Sequence, residues 1–174
     1  MLDSAVRMAF LLFMPFLLQA KGASLTTVGL ALSLVFIGGA FGKAACGWLG
    51  ARLGIQATVI GTELGTTAAI LAVLALPLAP DLALLPLLGV MLNGTSSVLY
   101  GTVPELVSAN RIERAFALFY TGTLGSSALA PVLYGRLGDA VGPTWAAGAA
   151  AVTALAVVPL MLLLSPRLAS PSNA

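Results

Sequence analysis

Asn93, Ser97, Tyr100 and Pro104 recur at the spacing i, i+4, i+7 and i+11 inside an otherwise apolar run. On a helix this spacing sets them along one face. An amide and a phenol sharing a stripe suit a wet path that binds a small molecule, and equally suit hydrogen bonds to a neighbouring helix. Tyr120, Thr123 and Ser127 make a second, weaker stripe, where the hydroxyls can also bond their own backbone. Lys43 and Glu63 are the charges set deepest in apolar surroundings. Each ionised side chain there costs roughly 2.5–3.5 kcal/mol on insertion scales. Both fall about 10 Å from the same end of consecutive apolar segments. A structural ion pair pinning two helices is one reading; a proton carrier at Glu63 is the other.

Other chemistries are excluded by composition. The chain has no histidine, which removes His-based acid–base chemistry, Ser–His and Cys–His catalysis, and His-ligated zinc or haem. Cys46 is the single cysteine, so no internal disulfide forms. The sequence carries no metal-ligand cluster and no phosphate-cradling loop, so neither a metal nor a cofactor is expected. An intramembrane enzyme would need a Ser–Lys dyad on Lys43, for which nothing positions a serine. A net charge of +2 without clustered Lys and Arg is no nucleic-acid footprint.

The elements that must position these residues are membrane spans. Hydrophobic residues make up 59% of the chain and charged residues 8%, against roughly a quarter charged in a soluble domain. A bilayer core takes about 20 apolar residues per helix. Six segments qualify: Asp3–Ala20, Thr26–Leu49, Ala57–Ala79, Leu82–Leu106, Arg114–Tyr134 and Thr144–Leu164. The breaks between them are short, so successive helices run antiparallel. The first segment is short, is interrupted by Pro15 and has signal-peptide features, but five further spans argue against a cleaved leader. Arg7, Arg52, Arg111, Arg114 and Arg167 gather on one side, against Lys21 and Arg136 on the other. This bias places both termini in the cytoplasm.

Two phrases, "GWLGARLG" (Gly47–Gly54) and "GRLGDAVG" (Gly135–Gly142), share Gly-x-Leu-Gly-x-x-x-Gly at an offset of 88 residues. They fall between the second and third and between the fifth and sixth segments. Three spans per half is an odd number, so the halves enter the membrane from opposite sides. The pattern is an inverted repeat, 1–87 and 88–164, with a cytoplasmic tail at 165–174, a device of secondary transporters. Gly47 suits close helix approach and Gly54 a helix-ending turn. Gly38, Gly39 and Gly42, with Gly61 and Gly65, make further close-packing faces.

"GWLGARLG" resembles the loop signature of the major facilitator superfamily, carried here by Gly47, Leu49, Arg52 and Gly54, with Ala51 where the family has an acidic residue. "ELVSANRIERAFALFYTGTLGSSALAPVLYGRLGD" (Glu105–Asp139) is similar to the end of that family's tenth helix, the next cytoplasmic loop and the eleventh helix. "NGTSSVLYGTVPEL" (Asn93–Leu106) resembles the tenth helix in the branch of fosmidomycin-resistance exporters. The resemblance covers the whole chain as helices seven to twelve of a twelve-helix carrier. It implies an all-α membrane protein, half of a major-facilitator fold, in the plasma or inner membrane. It also implies alternating-access, proton-coupled transport of a small molecule. The missing partner would be an N-terminal half or a second copy. Asn93, Ser97, Tyr100 and Tyr120 would line the substrate path. Glu105 would pair with Arg52 and Arg114 at an inner gate. Glu63 would lie on a peripheral helix, against its being a proton carrier. The alternative is a non-transporting fragment or scaffold.

Overall fold

The computed structural model describes residues 1–104 and 107–168. Six helices account for nearly all of them: α1 (Leu2–Ala20), α2 (Leu25–Leu53), α3 (Ile55–Ala75), α4 (Leu78–Thr102), α5 (Ile112–Val141) and α6 (Pro143–Leu168). Each is long and apolar enough to cross a bilayer, and no strand occurs among the described residues. α1 continues through Pro15 without a break. α6 runs on to Leu168, past the expected start of the tail.

The helix ends differ from expectation in an informative way. The phrase around Arg52 is not a loop: α2 continues through Leu53, and Gly54 alone separates it from α3. α5 likewise continues to Val141, and Gly142 alone separates it from α6. Three of the eight residues in each phrase are glycine, a poor helix former, yet the helix persists through the first two, as membrane helices tolerate, and only the last glycine departs. Gly54 has φ 82° and ψ 158°, Gly142 φ 93° and ψ 155°, a region that only glycine occupies freely. Gly22, with φ 87°, turns the chain between α1 and α2.

α2 and α4 make the most extensive helix pair. A Cβ placed on Gly38, Gly42 or Gly89 would run into the backbone of Pro86, Val90 or Val35 respectively, and one on Gly94 would meet Cys46. Glycine on both helices lets the backbones touch, which is how helices associate where lipid supplies no hydrophobic drive. Gly47 and Gly61 have nothing within 4 Å of that position. They are not packing sites, so the expectation for them fails, whereas Gly65 packs on Met91.

Elsewhere α3 packs on α4 and α6, and α1 on α5 and α6; α2 with α3 and α5 with α6 touch far less. Exchanging α1 with α4, α2 with α5 and α3 with α6 turns each of these main contacts into another of them. The largest core cluster joins Phe10, Met14 and Leu18 to Val35, Ile70 and Leu85. Ala147, Ala151 and Ala154 bring α6 against it.

Gly38→Ala and Gly89→Ala are each expected to destabilise the bundle by about 1–3 kcal/mol through overpacking against backbone. Gly61→Ala should be neutral or slightly stabilising. Thermal unfolding in detergent reads the difference, and equal behaviour of the three variants would count against the glycine seam.

Candidate functional site

A cavity of about 490 Å³ opens into the bundle near the end that carries Gly54 and Arg114. Its walls come from α1, α2, α4 and α5; α3 and α6 contribute nothing to it. Ser96, Ser97 and Tyr100 enter from α4, and Tyr120, Thr123 and Ser127 from α5. Ser4 and Arg7 enter from α1, and Lys43 from α2. Both polar stripes of the sequence therefore meet across one space. The α4 stripe ends at Tyr100 in helical terms, because α4 stops at Thr102 before Pro104.

Asn93 lies at the inner edge of this arrangement. Its Oδ1 accepts from Arg7 Nη1 at 3.2 Å, and its Nδ2 donates to Gly89 O at 3.1 Å. The amide thus orients the guanidinium while anchored to its own helix. Tyr100 packs edge-on against Phe119, ring centres 5.1 Å apart, and tilted against Tyr120 at 5.8 Å. These rings join α4 to α5, which otherwise make few close contacts. Arg7 was read in the sequence only as a topology charge. The signal that could have exposed it is its place as the fifth residue of the expected Asp3–Ala20 span, on the same side as the α4 stripe.

Lys43 and Glu63 do not pair. α2 and α3 are neighbours in sequence but α4 packs against both, and they touch each other little. With α2 running on to Leu53, Lys43 sits about 15 Å from its end and lines the cavity. Glu63 is buried, with Oε1 lacking any hydrogen-bond partner. Beside it Thr95 Oγ1 donates to Thr62 Oγ1 at 2.8 Å, and Asp3 lies within electrostatic reach.

At the end that carries Gly54, Arg52 stacks over the Trp48 ring at 4.5 Å. Arg114 is exposed in the first turn of α5. Glu105 lies outside the described residues, so the expected gate pairs have no geometry here. Leu49 is a half-buried residue within α2. At the opposite end Lys21 forms an ion pair with Asp81 and donates to Val73 O and, at 2.6 Å, to Leu76 O. It ties the end of α1 to the end of α3 and the start of α4. The sequence concealed this because Asp81 sits in what reads as a break, whereas α4 begins earlier, at Leu78.

A family model described as Major Facilitator Superfamily covers residues 1–174. No curated protein and no solved structure matches the chain.

Lys21→Ala leaves Asp81, which is wholly buried, without its cation, and breaking such a pair costs about 3–5 kcal/mol. Asp81→Asn, which removes the charge, should cost less. Unfolding temperatures of the two variants check the order; a reversed order would show that the ion pair is not what holds this corner.

Proposed function

The chain belongs to the Major Facilitator Superfamily, and on that premise we propose that it moves a small molecule through its polar cavity by alternating access. It is a multi-pass membrane protein of a transporter family. The observation that carries the finer reading is the cavity itself. Ser97, Tyr100 and Tyr120 line one polar space of about 490 Å³ in a largely apolar bundle. Asn93 supports it by holding Arg7. A polar recess of this size within a membrane bundle suits a small-molecule site.

The cavity is lined by four of the six helices. The chain acts as the second half of a twelve-helix carrier, with an N-terminal half, or a second copy, as the facing wall. The exchange relation among the helix contacts supports two inverted three-helix units, α1–α3 and α4–α6; the boundary expected at 87/88 falls inside α4 and moves back to the turn between Ala75 and Leu78. The two glycine joints at Gly54 and Gly142 support the same division. The arginine bias supports cytoplasmic termini in the plasma or inner membrane. Glu105 with Arg52 and Arg114 forms the inner gate, made in one state and broken in the other, which biases the two-state equilibrium. Proton coupling follows the family resemblance, as does kinship with the fosmidomycin-resistance branch.

The test uses inverted membrane vesicles containing the protein, with a respiration-driven proton gradient followed by acridine orange. Fosmidomycin, benzoate, chloramphenicol and ethidium serve as probes. Addition of a transported probe should release part of the gradient only in vesicles that contain the protein. Tyr100→Ala at equal abundance should lower that response about tenfold or more, as loss of an aromatic anchor does. No response to any probe would overturn proton-coupled transport, and an unaltered response in Tyr100→Ala would remove the cavity as its path.

A further inference from the structure

We infer that the cavity selects small organic anions, with Lys43 and Arg7 as the groups that hold the negative charge. The inference rests on reading this cavity as the substrate path. Its lining includes two cations, from two different helices, and no carboxylate. Among the described residues Lys43 has no hydrogen-bond or ion-pair partner. Arg7 Nε is buried without a partner, although Nη1 is held by Asn93. Thr123 lines the same space, is 7% exposed, and its buried Oγ1 also lacks a partner.

Such orphans are costly. A buried donor without an acceptor forfeits its hydrogen bonds to water, and a charge within a membrane span needs a counter-charge or a water-filled space. Asp3 interacts with Arg7 electrostatically, yet no ion pair forms between them. The cavity thus carries two cations and seven hydroxyls able to donate or accept, and lacks both a counter-charge and an anionic acceptor. A carboxylate or a phosphoryl group reverses both deficits, since its oxygens accept from the ammonium, the guanidinium and the hydroxyl together. The rings of Tyr100 and Tyr120 beside these groups fit a planar or apolar body attached to that anion. A cationic substrate would face Lys43 and Arg7 with nothing to neutralise it.

Binding is measured on the purified full chain in dodecyl maltoside, by the shift in unfolding temperature at constant ionic strength. Benzoate and phenylphosphonate are compared with the neutral benzamide and the cationic benzylamine, and the two anions separate carboxylate from phosphoryl preference. At least one anion should stabilise the protein where benzamide and benzylamine do not. Lys43→Gln should weaken that binding about tenfold, the usual loss of a charge-assisted contact, and Lys43→Arg should retain most of it. Arg7→Gln is expected to act similarly. Because Arg7 also holds Asn93, that variant can fail through folding, and the exposed Lys43 carries the decision. Benzylamine binding as tightly as the anions would overturn the inference, as would anion binding unchanged in Lys43→Gln. Stabilisation by phosphatidylglycerol alone would overturn it too, since the cations would then hold a lipid headgroup. Lys43-dependent anion binding without vesicle transport would sink the transport reading alone. Transport of ethidium without anion binding would sink only the anion selectivity.

Discussion

The direct contact of the α2 and α4 backbones is the constraint on which the rest of the molecule depends. Gly38 and Gly42 on one helix, and Gly89 on the other, leave no room for a side chain between them. In lipid, apolar side chains gain little by leaving their solvent for one another, so van der Waals fit has to hold helices together. The fit also decides the geometry of the site. Asn93 and Lys43 are each one helical turn or less from a seam glycine, and the seam fixes how α2 and α4 present them. With α4 clamped to α2, its other faces meet α3 and carry the polar stripe towards α5.

The cavity is defined as much by what the bundle withholds as by what it supplies. Acidic side chains are buried away from the cavity lining: Asp81 with Lys21, Glu63 among threonines. The two cations Lys43 and Arg7 are left facing the recess. In a bundle with so few charges, the placement of each one sets the character of the space. Hydroxyls on α3 such as Thr62 and Thr67 satisfy their own backbone instead, which suits a helix that contributes nothing to the cavity.

Much of this was legible in the sequence, and the failures share a cause. The six spans, the Asn93–Tyr100 stripe and the glycines at Gly38 to Gly42 are local patterns, set by helical spacing and by the cost of polar groups in lipid. Partners across helices are not local. Lys43 and Glu63 looked like a pair because their helices adjoin in sequence, yet α2 lies against α4. Arg7 and Asn93 are 86 positions apart, and nothing in spacing announces their bond. The expected loop at Arg52 failed for a different reason: a glycine-rich phrase reads as a break, but among its glycines only Gly54 takes a positive φ.

That single glycine has a mechanical meaning. A joint of one residue spans at most about 3.6 Å and cannot lengthen, so α2 and α3 cannot slide apart along their axes. α5 and α6 are coupled in the same way at Gly142. What remains free is angle: all the change in tilt between two long rods must be absorbed by one pair of dihedrals. Each half of the chain thus contains a pair of levers on a common pivot, set at opposite ends of the bundle. A displacement of the cavity-lining α2 or α5 is passed undiminished to α3 or α6 at that pivot, and fades only with distance from it.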